Sequence, residues 1–132
     1  MDTKQHLVRA KDKKFLLFYL ILAQLRQKKK SIYSKINLLG EFARKEMRKA
    51  FDGKVIVTGK GSLFMTHFLK GGITEITNSA QAAKCDSVML AKYHFKMIAH
   101  DGIFFLPGKL GAISDAHTKD DVKKMIKASE NF

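Results

Sequence analysis

The sequence predicts an α+β fold, in which a small antiparallel β-sheet of three to four strands has helices packed on one face and is preceded by a basic, apolar N-terminal helix. From residue 31 onward, helical and strand-like segments follow in the order helix, two strands, helix, two strands, helix, which is typical of such a layer. The 132 residues suffice for one domain with a short appendage. A hydrophobic content of 45%, one Pro and nine Gly exclude a disordered or fibrous chain.

The first 30 residues contain a run of nine apolar residues, Phe15–Ala23, with basic residues on both sides. This run is too short to span a bilayer, which takes about 20 apolar residues. A signal peptide or an interfacial membrane anchor would also combine apolar and basic residues. We expect instead a buried helix whose lysines extend to water. The flanking basic residues are Lys11, Lys13, Lys14, Arg26, Lys28, Lys29 and Lys30. The sequence therefore predicts two parts, an N-terminal segment at residues 1–30 and a domain at residues 31–132.

The domain is predicted to open with an amphipathic helix from Ser31 to Phe51. Ser31 is a plausible N-cap, and Asp52-Gly53 a plausible end. Its apolar face is predicted to comprise Ile32, Ile36, Leu39, Ala43, Met47 and Ala50.

Two strands follow as a hairpin, Lys54–Thr58 and Ser62–Leu69, joined by the turn Gly59-Lys60-Gly61. Residues 70–83 contain paired glycines and several Thr, and they are predicted to form a loop.

Asp86 is predicted to cap a second helix that ends near His100, with Leu90, Tyr93, Met97 and Ile98 on one face. A third strand is predicted at Ile103–Leu106 and a fourth, short one at Ala112–Ser114. Thr118 is predicted to cap the last helix. The buried face of that helix is predicted to comprise Val122, Met125, Ile126 and Ser129.

The net charge of +13 suggests a nucleic-acid-binding or membrane-surface module as an alternative function. Residues 1–53 carry +9 of this net charge, so the net charge of residues 54–132 is close to that of an ordinary domain. The basic residues lack the interleaved aromatic residues of a stacking platform, so no specific nucleic acid is expected.

No complete catalytic, cofactor-binding or metal site is predicted from the residues alone. Gly59-Lys60-Gly61-Ser62 lies between two strands, whereas a phosphate-binding loop leads into a helix. The five His residues lack metal-ligand spacing. The single Cys85 excludes a disulfide framework and fits a reducing, cytoplasmic setting.

Five segments in the same order resemble the C-terminal small domain of class III pyridoxal-phosphate-dependent aminotransferases, in particular the glutamate-1-semialdehyde 2,1-aminomutase-like branch. The segments are Lys30–Glu46 (KSIYSKINLLGEFARKE), Val57–Phe64 (VTGKGSLF), Lys84-Cys85-Asp86, His100–Pro107 (HDGIFFLP) and Ser114–Asp121 (SDAHTKDD).

The resemblance implies the small domain of a fold-type I enzyme whose large domain carries the Schiff-base lysine and most cofactor contacts. Pyridoxal phosphate is implied for the full-length family, whereas this chain alone is expected to bind none and to be inactive. A separate large-domain chain or a homodimer partner is implied. The cleft-edge positions implied by resemblance are Gly61, Ser62, Pro107 and Lys109.

One segment departs from the aminomutase pattern. The aminomutases usually have a Phe-Glu-Ala stretch where this chain reads PGKLGAISDAHT over Pro107–Thr118. The missing Glu favours a related transaminase over an enzyme that acts on glutamate-1-semialdehyde.

Overall fold

The computed structural model describes the backbone of residues 3–132 and the side chains of residues 13–132. The Lys11 side chain, which belongs to the predicted basic flank, lies outside the described residues. The elements are α1 (Thr3–Ala50), β1 (Val55–Thr58), β2 (Leu63–Phe68), α2 (Ser79–Ala83), α3 (Ser87–Ala99), β3 (Gly111–Ala112) and α4 (Lys119–Glu130). The chain divides into two compact units, Met1–Ser34 and Lys35–Phe132.

Helix α1 begins far upstream of the predicted start at Ser31. The Ser31 hydroxyl donates a hydrogen bond to the Lys28 carbonyl at 2.9 Å, so Ser31 lies within the helix and does not cap it. No Gly or Pro interrupts residues 3–39, and Leu, Lys and Gln, which are good helix formers, are frequent there. The apolar run at 15–23 is helical, but the prediction that it is buried is wrong, because Leu16 and Tyr19 are 62% and 65% exposed.

The sheet is antiparallel in the order β1-β2-β3. Val55 pairs with Phe68 and Thr58 with Met65, so the predicted hairpin is confirmed. On the other side of β2, Leu63 pairs with Ala112. A three-stranded antiparallel sheet with helices confirms the predicted α+β fold class.

The third strand is not at Ile103–Leu106. The Ile103 amide donates to the Met97 carbonyl at 2.9 Å, so this segment follows the end of α3 and does not join the sheet. Strand β3 comprises Gly111–Ala112 and replaces the predicted strand at Ala112–Ser114. The predicted loop at 70–83 contains the short helix α2.

The core lies between the sheet and the helices. The predicted caps are confirmed: Asp86 accepts from the Met89 amide, and Thr118 forms a capping box with Asp121. The predicted buried face of α4 is also confirmed. In α3 the predicted face is buried at Leu90, Tyr93 and Met97, whereas Ile98 is 37% exposed. The buried apolar side chains are Ala43, Met47, Phe51, Val55, Val57, Phe64, Phe68, Leu90, Tyr93, Met97, Phe105, Ile113, Val122, Met125, Ile126 and Ala128.

Candidate functional site

The hairpin turn between β1 and β2, which contains Gly61 and Ser62, is fixed against α1. Arg44 Nη1 donates to the Gly61 carbonyl at 2.6 Å and to the Leu63 carbonyl at 2.9 Å. These bonds satisfy two carbonyl groups of the hairpin with one guanidinium from the helix. The turn is thereby attached to the helix by a charged side chain.

A glycine in α1 permits this close approach. A Cβ added at Gly40 would lie 2.0 Å from the Gly61 carbonyl oxygen and 3.0 Å from Ser62 Cα. Gly61 itself has φ of 58°, the left-handed region that favours glycine. The Ser62 carbonyl accepts from the Ile113 amide at 3.0 Å, which connects the turn to the segment after β3.

The second turn, Pro107–Lys109, is attached to α3 by a histidine. The Gly108 amide donates to His94 Nδ1 at 3.1 Å, and the Lys109 amide donates to the Leu106 carbonyl at 2.9 Å. The His94 ring stacks on Phe105, with ring centroids 4.8 Å apart. Burial lowers the pKa of His94, which favours the neutral ring that accepts the Gly108 hydrogen bond.

The two turns flank a cavity but do not line it. The cavity has a volume of about 650 Å³, and its wall includes Phe64, Leu106 and Leu110. None of the four predicted cleft-edge positions, Gly61, Ser62, Pro107 or Lys109, contributes to that wall. Phe64 next to the first turn contacts Phe105 next to the second, with ring centroids 6.0 Å apart. The structure therefore connects the two turns through their neighbours.

Three residues that position the turns were not predicted as site residues. Gly40 was recognisable, since a glycine inside a helix costs about 1 kcal/mol relative to Ala and indicates a close backbone approach. Arg44 belongs to the motif that carries the family resemblance. No sequence pattern indicates the role of His94, because its hydrogen-bond partner is a backbone amide in a distant loop.

Cys85 and His67 both have hydrogen-bond partners within the fold. Burial raises the pKa of the Cys85 thiol, whose Sγ contacts the Gln81 carbonyl at 3.7 Å. His67 Nε2 lies 2.9 Å from Thr58 Oγ1 in the hairpin. Among the described residues, no group of three His, Cys, Asp or Glu side chains could hold a metal ion.

The fold resembles that of domains in solved transaminases. The chain superposes on a transaminase with pyridoxal phosphate bound, with a TM-score of 0.65 and 23% identity, over 83% of this chain and 24% of that chain. It also matches a β-phenylalanine aminotransferase from Variovorax paradoxus, with a TM-score of 0.65 and 22% identity, over 74% of this chain and 23% of that chain. No protein-family model matches the chain.

In sequence, the chain is similar to curated enzymes named glutamate-1-semialdehyde 2,1-aminomutase. It is 32% identical over 118 residues to glutamate-1-semialdehyde 2,1-aminomutase 2 of Lachnoclostridium phytofermentans, covering 84% of this chain and 27% of the relative. It is 32% identical over 104 residues to glutamate-1-semialdehyde 2,1-aminomutase 1 of Staphylococcus epidermidis, covering 75% of this chain and 23% of the relative. The chain is thus similar to one region of the class III aminotransferases of the glutamate-1-semialdehyde 2,1-aminomutase type. It spans about a quarter of the length of these relatives.

The described side chains do not fit pyridoxal phosphate by themselves. A Schiff base needs a lysine amine desolvated in a pocket or activated by a neighbour. Of the lysines whose side chains the structure describes, all but Lys96 are exposed. Lys96 Nζ already donates to Asp101 and to the Ala128 carbonyl, both at 3.0 Å. In the same part of the chain, every buried side-chain nitrogen and oxygen has a hydrogen-bond partner within the protein.

Proposed function

We propose that this chain supplies the small domain of a pyridoxal-phosphate-dependent aminotransferase or aminomutase-like enzyme and is inactive alone. A large domain, in a separate chain or in a homodimer partner, would hold the cofactor on its Schiff-base lysine. The cofactor supplies the electron sink for amino-group transfer when bound there. This chain's part is to close one side of the cleft. Its proposed setting is the cytoplasm, consistent with a single half-buried free Cys85.

The observation that carries the proposal is the match to the aminomutases over 84% of this chain and only 27% of the relative. A region of that size contains the sheet and helices described above, and all but one of the lysines whose side chains the structure describes are exposed. The missing Phe-Glu-Ala stretch between Pro107 and Thr118 favours a related transaminase over an enzyme that acts on glutamate-1-semialdehyde.

The two turns are the proposed contact of this region with the cleft. Arg44 and Gly40 fix the position of Gly61 and Ser62, and His94 positions Pro107–Lys109. Backbone held in this way orients a cleft wall without side-chain rearrangement. The role of these turns is substrate access and orientation.

The first experiment tests inactivity. The purified chain is incubated with pyridoxal phosphate, reduced with borohydride and mapped by mass spectrometry. We expect weak labelling scattered over exposed lysines and no transamination of an amino donor. Stoichiometric labelling of one lysine together with turnover would overturn the proposal.

The second experiment tests assembly. The chain is co-expressed with the Lachnoclostridium phytofermentans aminomutase truncated to remove the region that this chain matches. We expect the two to co-purify and to restore pyridoxal phosphate binding or amino transfer, whereas each part alone gives neither. Failure to restore either property, with both parts folded by circular dichroism, would contradict the proposal.

A further inference from the structure

Residues 103–106 have the side-chain pattern of a β-strand, yet they lie outside the three-stranded sheet. Phe104 and Leu106 are 78% and 57% exposed, whereas Phe105 between them is 5% exposed. This alternation is typical of an extended segment, in which successive side chains point to opposite sides. The β-branched and aromatic residues of the sequence IFFL also favour a strand. The segment is therefore strand-like and buries one side only.

The buried side of the segment is fixed by aromatic contacts. The Phe105 ring is parallel to the His94 ring, with ring centroids 4.8 Å apart. It also meets the Phe64 ring of β2 edge to face, at a centroid distance of 6.0 Å. Because these contacts hold the segment against α3 and the sheet, its other side is presented to a partner in a fixed position.

The backbone of the segment forms hydrogen bonds at its two ends. The Ile103 amide donates to the Met97 carbonyl, and the Leu106 carbonyl accepts from the Lys109 amide, both at 2.9 Å. Among the described residues, the two phenylalanines between these ends form no hydrogen bond to another backbone group. An extended segment with unpaired amides and carbonyls is a template on which a further strand can pair.

The exposed side chains of the segment face an apolar cavity. Both line the cavity of about 650 Å³, and nine of its sixteen lining residues are Phe, Leu, Ile, Val or Met. Its lining carboxylates have partners within the protein. Asp101 accepts a hydrogen bond from Lys96 Nζ at 3.0 Å. Asp121 accepts one from the Thr118 amide at 2.8 Å. The cavity therefore suits apolar side chains better than a polar ligand.

The position of the segment indicates which chain pairs with it. This chain spans about a quarter of the length of its relatives, so most of such an enzyme lies outside the matched region. Residues 103–106 lead directly into the turn Pro107–Lys109, which the proposed function places at the cleft with the large domain. A second copy of this chain fits less well, because two copies that each carry a net charge of +13 repel each other.

We propose that an extended strand of the large-domain chain pairs with residues 103–106 and places its apolar side chains in the adjoining cavity. This inference rests on the proposed function and names the surface through which the two chains assemble. Backbone hydrogen bonds to Phe104 and Phe105 supply the pairing. The cavity selects a strand with apolar residues at every second position.

Hydrogen exchange tests the pairing directly. The sample is the complex of this chain with the truncated Lachnoclostridium phytofermentans aminomutase, and exchange is read by mass spectrometry in peptides that contain residues 104–106. We expect these amides to exchange about tenfold more slowly in the complex than in the free chain. Unchanged exchange in a complex that forms would overturn this inference and leave the proposed function standing. Absence of any complex would overturn both.

Substitutions test the cavity. The double variant F104E/L106E is expected to weaken assembly with the truncated aminomutase at least about tenfold. Its matched control is V88E/F95E on α3, which replaces two apolar residues of similar exposure, 64% and 70%. We expect this control to weaken assembly less than about twofold, with both variants folded by circular dichroism.

Two results would contradict the assignment to this segment. Equal losses of assembly in F104E/L106E and V88E/F95E would show that the cavity has no particular part in it. A dimer of the free chain in size-exclusion chromatography that F104E/L106E dissociates would assign the segment to a second copy. Either result would overturn the inference without affecting the proposal that the chain is a small domain.

Discussion

The two candidate cleft-edge turns are positioned by different means. The hairpin turn at Gly61 and Ser62 is enclosed by backbone: α1 approaches it at Gly40, and Arg44 binds its carbonyls. The turn at Pro107–Lys109 is attached to the helices by one bond to the His94 ring. The first arrangement resists displacement through close contact and a charged hydrogen bond, whereas the second depends on the protonation of one side chain.

The largest expected effect comes from filling the contact between α1 and the hairpin. Gly40→Ala places a Cβ 2.0 Å from the Gly61 carbonyl oxygen, and because both partners are backbone, neither can rotate away. We expect the free energy of unfolding to fall by about 3 kcal/mol, despite the better helix propensity of Ala. Urea denaturation of the variant and the unmodified chain measures this loss of unfolding free energy.

The matched substitution in the second turn is Gly108→Ala. Gly108 has φ of 69°, and an added Cβ there would meet nothing within 4 Å. The only expected cost is that of placing an alanine in the left-handed backbone conformation, which lowers the free energy of unfolding by about 1–2 kcal/mol. Equal losses for Gly40→Ala and Gly108→Ala would show that the hairpin is no more tightly enclosed than the second turn.

The next largest effect is expected for Arg44→Met, which removes the donor to the Gly61 and Leu63 carbonyls. Loss of a charged hydrogen-bond donor to one partly buried and one exposed carbonyl costs about 2 kcal/mol. The control Lys45→Met changes the same charge at an exposed neighbouring position and is expected to cost less than about 0.5 kcal/mol. A loss in Arg44→Met no larger than in Lys45→Met, by urea denaturation, would contradict the anchoring role.

The elements of the fold were predictable where the sequence carries a local signal. Asp86 and Thr118 are capping residues followed by apolar residues at helical spacing, so both helices were predicted with their caps. The segment Ile103–Leu106 has strand-like composition, but its Ile103 amide donates a hydrogen bond to the end of α3. Tertiary contacts therefore override the local strand propensity here. The start of α1 was missed because Ser31 has the residue type of a cap inside a continuous helix.

The candidate site was predictable only in part, and through resemblance. Gly61, Ser62, Pro107 and Lys109 were predicted as cleft-edge positions; the structure places the first three in turns and Lys109 in a bend, and their place at the cleft stays a prediction. The residues that hold those turns act across many positions of the chain: Arg44 lies 17 residues from Gly61. Such contacts between backbone and a distant side chain have no periodic pattern in a sequence.

A smaller effect is expected from pH. Burial lowers the pKa of His94 below its ordinary value of 6.5, so the unfolded chain binds the proton more readily than the folded chain. Stability therefore rises with pH, and the His94 contribution is lost as pH falls from 6.5 through the lowered folded pKa. One such proton contributes at most about 1.4 kcal/mol per pH unit.

His94→Asn removes this titration while leaving an amide oxygen that can accept from the Gly108 amide. We expect a shallower rise of the unfolding free energy between pH 5 and 7 than in the unmodified chain, measured by urea denaturation at each pH. His67, whose pKa burial also lowers, still contributes in this variant, so the slope is reduced and not abolished. An unchanged slope would mean that protonation of His94 does not govern the second turn.

The smallest effect on stability is expected at the tip of the second turn. Lys109 is exposed, and the hydrogen bond of the turn uses its backbone amide, so Lys109→Ala is expected to change the free energy of unfolding by less than about 0.5 kcal/mol. In the enzyme reconstituted with a large domain, however, an ammonium at the cleft edge would attract a substrate carboxylate. There Lys109→Ala is expected to raise KM several-fold with little change in kcat, whereas Lys84→Ala, also exposed, leaves both unchanged. Equal KM values for the two variants would place Lys109 outside the cleft and leave the hairpin turn as the proposed edge, because a solvent-exposed lysine influences KM only where the substrate passes close to it.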